Sequence, residues 1–285
     1  MINFRNIIAV IMIATGLSAC SSMISSAKES MANNLSFAII NSDDLETVKD
    51  GAPAYLLMLD SFIEGDPEDS GLLVAAAKLY GAYAGIFVKD DKRAKLMTQK
   101  ALDYALQASC LQFTASCHLK TMPFNDFTKI VDQFTKEQID LLFTIGSSWA
   151  GWIQNRSGDW NAAAELARVT YIMQRALKVD ETYQHGQVHL YLGILNTLLP
   201  PALGGKPELG KKHFERAIAL SEGENLIAKV IYAEKYARLV FNQELHDSLL
   251  NQVLKTDPHI RGFTLTNVLA QQQAKALLLS GKDYF

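Results

Sequence analysis

One stretch of the sequence resembles the surroundings of a nucleophilic serine. Residues 146–150 read GSSWA, which approximates the nucleophile elbow G-x-S-x-G and follows the apolar run LLFTI. In that motif a strand enters a tight turn that presents the serine hydroxyl to substrate. Here Ala150 replaces the last glycine, and the apolar residues on both sides have the period of a helix. The sequence therefore disfavours a hydrolase, and we predict no catalytic residue and no enzyme.

The spacing of two histidines raises the question of a metal site. His185 and His189 are four residues apart in HGQVH, so on a helix both imidazoles would project from one face. No acidic residue lies between them, unlike H-E-x-x-H, and the sequence offers no evident third ligand. A polar helix start is the simpler explanation. We predict neither a metal site nor a cofactor, because a glycine-rich phosphate loop is lacking as well.

A pair of cysteines could form a covalent cross-link. Beyond Cys20 the chain has only Cys110 and Cys117, with six residues between them. In an oxidising compartment such a pair is a natural disulfide, and closing so short a loop contributes about 2–3 kcal/mol. A metal site is less favoured, because two thiolates need further ligands and only His118 lies adjacent.

The N-terminus indicates the compartment. Arg5 precedes an apolar run over residues 7–17 that, as a helix, would rise only about 16 Å, which is typical of a secretory signal. The run ends in LSAC, which resembles the lipobox of bacterial lipoproteins and implies cleavage before Cys20 and acylation of that cysteine. An ordinary cleaved signal with an incidental cysteine is the alternative. Because Ser21 follows rather than aspartate, the outer membrane is favoured over the inner one.

These observations predict a periplasmic protein that is anchored to the bilayer through its acylated N-terminus. Residues 1–19 form the lipoprotein signal peptide, and residues 20–41, rich in serine and asparagine, form a flexible tether. Residues 42–285 form a single all-helical repeat domain. The formal charge is −3, with basic and acidic residues interleaved, so nucleic acid is not predicted as a partner.

The predicted domain shows helical periodicity almost throughout, without a convincing pair of alternating strands. Helix starts are predicted at NSDDLE, GDPEDSG and VKDDKRAKLM, and Asp159 occupies a capping position. The segments alternate as antiparallel neighbours. The fold class is therefore all-α.

A repeat pattern underlies these helices. In tetratricopeptide repeats a Leu-Gly pair on one helix faces a small residue, an aromatic and an alanine on the next. Leu192-Gly193 supplies the first element, and Gly210, Phe214 and Ala217 supply the second. Other hairpins match the pattern more loosely. They pair Gly81 with Ala94 and Ala101, and Ile145-Gly146 with Met173 and Ala176, and a last hairpin contains Leu250 and Val253. We predict about four degenerate hairpins stacked as a solenoid.

Two groups of residues are candidate partner or ligand surfaces. The segment LLPPALGGKPE lies between two predicted helices and is both apolar and stiff, and its candidate residues are Leu198, Leu199, Pro200, Pro201 and Leu203. They either cap the core or stand at the surface. The other group consists of tyrosines in aromatic stripes, Tyr80 and Tyr83 in one and Tyr191, Tyr232 and Tyr236 in another. They either pack in the core or line a cavity.

The block from HLYLGILNTLLPPALGG to LLNQVLKTDP resembles the TRAP transporter TatT component family, as do AAAKLYGAYAG, KALDYA and AGWIQNRSGDWNA. These are periplasmic lipoproteins that accompany tripartite ATP-independent transporters, and the resemblance covers roughly residues 45–280. It implies a solenoid of tetratricopeptide-like hairpins, a trimer around an apolar pore, docking of a periplasmic solute-binding protein, and hydrophobic organic-acid ligands. A general lipoprotein scaffold for envelope assembly is the alternative function.

Overall fold

The computed structural model describes residue 35 and residues 37–285. The predicted signal peptide, Cys20 and most of the predicted tether lie outside the described residues. Within the described part of the chain there are twelve α-helices and no strands, so the predicted all-α fold is confirmed. The helices are α1 (Leu45–Gly65), α2 (Ser70–Phe87), α3 (Asp91–Gln112), α4 (Phe124–Val131), α5 (Ile139–Gln154), α6 (Trp160–Ala164), α7 (Leu166–Val179), α8 (Gln187–Thr197), α9 (Pro207–Leu220), α10 (Leu226–Tyr232), α11 (Gln243–Lys255) and α12 (Thr264–Tyr284).

Side-chain caps fix several helix starts. Asp44 accepts hydrogen bonds from two backbone amides at the start of α1, and Asp69 does the same for α2. Asp90 caps α3 and Asp159 caps α6. Each carboxylate satisfies amide groups that have no partner inside the helix and lies at its positive dipole end. These four starts confirm the ones predicted from the sequence.

Small residues let the helices of each pair approach closely. A Cβ added to Gly193 on α8 would lie 2.6 Å from the ring of Phe214 on α9. One added to Gly146 on α5 would lie 2.7 Å from the side chain of Met173 on α7. These two predicted helix pairs are thus in contact, and the arrangement is compatible with a solenoid.

The core consists of two large apolar clusters. The first extends from α1 to α8 and contains the fully buried Trp149 and Phe127. The second extends from α8 to α12 and contains Phe214 and Leu250. Helix α8 contributes to both, so it joins the two halves of the domain.

A third, small cluster joins the beginning and the end of the chain. Leu45 and Val48 on α1 pack with Leu265 on α12. Beside them the amide of Gly262 donates to the side-chain oxygen of Asn41, over 2.8 Å. The first and last helices are therefore in contact.

Helix α2 is the one helix among the described residues with the length and apolar composition of a membrane span. Leu73, Ala76 and Ala77 on α2 are fully buried. Contacts with α1, α3 and α5 cover this helix, so packing within the domain accounts for its apolar composition.

Candidate functional site

The connection between α8 and α9 is a tight loop. The amide of Lys206 donates to the carbonyl of Asn196 over 2.9 Å, and the amide of Gly205 donates to the carbonyl of Pro200 over 3.1 Å. Gly204 has φ +89°, a left-handed conformation that favours glycine. Pro207 then occupies the first turn of α9, where a proline does not cost a helical hydrogen bond.

The apolar side chains of this loop lie at the surface. Leu198 is 46% exposed and Leu199 is 43% exposed, and Pro200 and Pro201 are exposed too. The sequence left open whether these residues cap the core or stand at the surface. These four residues stand at the surface. The backbone of Leu203 closes a short 3₁₀ turn that begins at Pro201, and its side chain lies outside the described atoms.

The base of the loop is closely packed. Thr197 is buried, and its hydroxyl donates to the carbonyl of Gly193 over 2.9 Å. A Cβ on Gly210 would lie 2.6 Å from the methyl group of Thr197. Because both loop ends are held at this contact between α8 and α9, the exposed leucines are presented in a fixed position.

A second exposed group, formed by aromatic residues, lies near Thr197. An open cleft is lined by Thr197, Glu234, Lys235, Arg238, Leu239 and Tyr284. The ring of Phe241, which is 72% exposed, stacks on Tyr284 at 5.6 Å, and the guanidinium of Arg238 lies 4.9 Å from the Tyr284 ring. Phe241 has φ +54°, an uncommon conformation for an aromatic residue. In the sequence this group has only a weak signal, the aromatic pair in DYF.

Four of the candidate tyrosines are buried in the core, which corrects their assignment to a partner or ligand surface. Tyr80, Tyr83, Tyr232 and Tyr236 are each less than a tenth exposed. Tyr191 is partly buried, and its ring packs against Phe143 at 5.3 Å. Their spacing reflects contacts between helices, so the packing alternative is the correct one for the four buried residues.

The buried phenols all have hydrogen-bond partners. Tyr83 donates to the carbonyl of Lys49 over 3.0 Å, which joins α2 to α1. Tyr236 donates to Glu208 over 2.8 Å, and burial followed by this carboxylate raises the pKa of Tyr236 to about 12. Such bonds satisfy hydroxyl groups that would otherwise be costly to bury.

Asp60 organises the largest of these polar clusters. Its carboxylate accepts from Tyr80 over 2.6 Å, from Lys100 over 2.6 Å and from Tyr104 over 2.8 Å. Burial tends to raise the pKa of Asp60, but the bonds from Lys100, Tyr80 and Tyr104 lower it overall. Burial and this carboxylate raise the pKa of Tyr104 to about 12. The cluster links α1, α2 and α3, and its groups satisfy one another.

The two candidate histidines are separated. His185 lies in a short 3₁₀ turn that ends at Gly186, before α8 begins, and its ring packs on Phe263 at 5.5 Å. His189 lies on α8. Because α8 begins only at Gln187, His185 is not part of this helix, and the two imidazoles do not share one helical face.

His189 instead pairs with a histidine on the next helix. Its Nδ1 lies 2.8 Å from the Nδ1 of His213, and its Nε2 lies 3.3 Å from Glu181, which also accepts from Arg216 over 2.6 Å. Glu181 and His213 contact opposite sides of the His189 ring, so the three groups do not converge on one point. Among the described residues there is no set of three or more such side chains placed to hold a metal ion.

The remaining candidates for chemistry, Ser148 and the two cysteines, have structural roles. Ser148 is 5% exposed in the interior of α5, so no strand and no exposed turn present its hydroxyl. In the structure a disulfide joins Cys110 and Cys117, whose Cα atoms are 4.2 Å apart. It closes the turn after α3, where the hydroxyls of Ser109 and Ser116 also share a hydrogen bond of 2.6 Å.

Comparison with known proteins gives two matches. A family model described as TAtT, TRAP transporter T-component, matches residues 41–285. An uncharacterized protein of Treponema pallidum (strain Nichols) is 23% identical over 265 residues, which cover 85% of this chain and 81% of the relative. The name of that relative states no activity.

Proposed function

The chain belongs to the TRAP transporter T-component family, and from this membership we propose that it is a non-enzymatic subunit that docks a periplasmic solute-binding protein. The family resemblance expected from the sequence is confirmed. The match over residues 41–285, nearly the whole described chain, is the observation that carries the proposal.

The loop between α8 and α9 is the proposed docking surface. Leu198 and Leu199 are exposed, while prolines fix the backbone and Thr197 holds the base of the loop. A partner that binds a preformed surface loses less conformational entropy than one that must order it. The nearby Tyr284 and Arg238 are of the residue types that contribute most to protein interfaces.

The path of a hydrophobic organic acid is proposed to lie between subunits. Two clefts on the described residues are both open to solvent. Neither encloses an apolar ligand within a single chain. In an oligomer, a trimer by the family resemblance, a neighbouring subunit would supply the other wall of the ligand path.

Cys20 is proposed as the lipid anchor of the mature protein in the periplasm, with the outer membrane favoured. LSAC and Ser21 support this, and both lie outside the described residues. The transporter proposal is independent of the anchor, because docking depends on the folded domain.

The test is affinity capture from native envelopes, followed by mass spectrometry. We expect the wild-type protein to capture a solute-binding protein, and Leu198→Ser with Leu199→Ser to lose most of it while keeping its helical circular dichroism. The matched control is Leu57→Ser with Leu279→Ser, since these leucines are 70% and 67% exposed elsewhere. Equal capture by both double variants would refute the docking surface.

A general scaffold for envelope assembly is the second candidate. The open clefts favour it, because a scaffold does not need an enclosed cavity. Capture of assembly proteins without any solute-binding protein would select this function instead.

A further inference from the structure

One surface of the domain combines an exposed tryptophan with unpaired cations. Trp160, the first residue of α6, is 89% exposed, and Leu96 on α3 is 65% exposed. An open cleft between α3 and the end of α5 is lined by Lys92, Lys95, Arg156 and Leu96 together with Asp91 and Gln99. We call the set Trp160, Leu96, Lys92, Lys95 and Arg156 the Trp160 patch.

Arg156 holds this patch together. Its guanidinium donates to the carbonyl of Lys95 over 3.1 Å and to the carbonyl of Trp152 over 3.1 Å. The end of α5 is thereby fixed beside the first turns of α3. Asp159 follows three residues later and caps the helix that starts with Trp160. Trp160 therefore stands at a capped helix start, four residues after Arg156 of the cleft lining.

Three cations, Lys92, Lys95 and Arg156, line the cleft together with one carboxylate, Asp91. Among residues 37–285, no carboxylate lies within ion-pair distance of Lys92, Lys95 or Lys120. The ammonium of Lys120 instead lies 4.2 Å from the Trp152 ring. Nearby carboxylates on Asp90 and Asp159 accept from backbone amides at helix starts. The lining of the cleft therefore carries more positive than negative charge beside Leu96, although Asp159 and Asp103 also act electrostatically on Arg156.

The first turns of α1 lie close to the start of α3. Tyr83 on α2 donates to the carbonyl of Lys49 near the start of α1, and the guanidinium of Arg93 on α3 lies 5.7 Å from the Tyr83 ring. The start of α1 is thus beside the start of α3, where the Trp160 patch begins. Residues 21–36 separate Cys20 from the domain and can span at most about 55 Å even when fully extended.

We propose that the Trp160 patch rests on the anionic phospholipid surface of the bilayer that holds the acylated N-terminus. The indole places an amphipathic ring at the level of the headgroups, and the lysines face the phosphates. The contact orients the domain and leaves the exposed loop at Leu198 and Leu199 available for a protein. The proposed lipid anchor identifies which bilayer is involved, whereas affinity for anionic lipid follows from the patch alone.

The experiment uses the mature chain with Cys20→Ser, exported through an ordinary cleavable leader so that it has no acyl chain. We expect it to sediment at low salt with vesicles of phosphatidylethanolamine and phosphatidylglycerol and to stay in solution with phosphatidylcholine vesicles. Binding should shift tryptophan emission to shorter wavelength. Of the three tryptophans, only Trp160 is largely exposed, and Trp160→Phe should abolish the shift.

Lys92→Glu with Lys95→Glu should weaken vesicle binding at least about thirtyfold, which corresponds to two lysines near an anionic surface. The matched control is Lys275→Glu with Lys282→Glu, two exposed lysines on α12. Equal loss in both variants, or no sedimentation of the parent chain, would overturn the proposal.

If vesicles fail to bind but an acidic envelope protein is captured through Lys92 and Lys95, the patch binds protein and not lipid. Solute-binding protein capture is scored separately, so each proposal can fail alone.

Discussion

Gly193 on α8 and Phe214 on α9 are in contact without room for one additional carbon atom, since a Cβ on the glycine would lie 2.6 Å from the ring. The sequence predicted this pair from the tetratricopeptide pattern. Because packed interiors do not yield easily, the contact sets how closely the two helices approach.

Gly193→Ala should destabilise the domain by about 1–3 kcal/mol, because the added methyl group must displace the Phe214 ring. Gly85→Ala on α2 is the control, since nothing lies within 4 Å of the added carbon and the site is exposed. That change should leave stability unchanged or raise it by up to about 1 kcal/mol. Chemical denaturation monitored by circular dichroism measures both. Equal stability of the two variants would contradict the close contact.

Removing the bond between Cys110 and Cys117 should lower stability by about 2–3 kcal/mol without unfolding the protein. The reason is that the bond closes a short loop, while the two large core clusters do not depend on it. The variant is Cys110→Ser with Cys117→Ser, and thermal unfolding is the measurement. Alkylation of the envelope-extracted wild type without reductant is the direct check, and two labelled thiols would show that the bond does not form.

Acidification should weaken the domain between about pH 6.5 and 4 through the pair of His189 and His213. Burial, and then the neighbouring His189, lowers the pKa of His213 to about 4. Burial also lowers the pKa of His189, although Glu181 opposes it. The folded state thus favours the neutral rings. Their contribution is complete above the unfolded value near 6.5 and is lost as pH falls towards 4.

The test of the histidine pair compares the wild type with His213→Gln by urea denaturation at pH 7 and pH 4.5. The variant should lose less stability on acidification, by on the order of 1 kcal/mol. His118→Gln, at an exposed site, is the control and should behave as the wild type does. His259 has a pKa raised by Asp257 and Asp43 and favours folding at low pH, so the difference between proteins is the relevant quantity. Identical pH profiles would exclude a role for the pair.

Replacing residues 1–20 by an ordinary cleavable leader should move the protein from membranes to the soluble periplasmic fraction. Each buried methylene of an acyl chain contributes about 0.8 kcal/mol to anchoring, and several chains make attachment firm. The Trp160 patch alone should release in high salt, because its lysines act through screened charge. The measurement is the amount of protein that remains on membranes after a wash in high salt. Retention there would argue against Cys20 as the anchor.

Local chemistry made the helix starts and the close contacts predictable. Aspartates at positions 44, 69, 90 and 159 act within three residues of themselves, so the sequence alone contains the signal. The Gly193–Phe214 contact follows from a repeat whose two helices are neighbours in the chain. Features that depend on short sequence separation were therefore within reach.

The tyrosines and histidines were harder, because their surroundings come from distant parts of the chain. An aromatic stripe identifies one face of a helix but not whether water or another helix lies opposite. The partner of Tyr80 is Asp60, twenty residues away, and the partner of His189 is His213, twenty-four residues away. Three consecutive residues with positive φ, Gln184, His185 and Gly186, separate His185 from α8.

Exposure of single aromatic residues could not be predicted either. Trp160 stands in the polar stretch SGDWN, whereas Phe241 directly follows the apolar Leu239 and Val240. Both are exposed because a helix cap and a left-handed backbone conformation direct the chain there. Whether such a side chain is exposed depends on the packing around it, which the sequence does not show.

The contact of Leu45 and Val48 with Leu265 changes how the domain should come apart. A linear array of repeats has two free ends, and unfolding can start at either one and proceed repeat by repeat. Here the terminal helices cover each other, so loosening α12 also uncovers the first turns of α1. The array thereby gains cooperativity between units at opposite ends of the chain. Amide hydrogens of α1 and α12 should then exchange at similar rates instead of fraying separately.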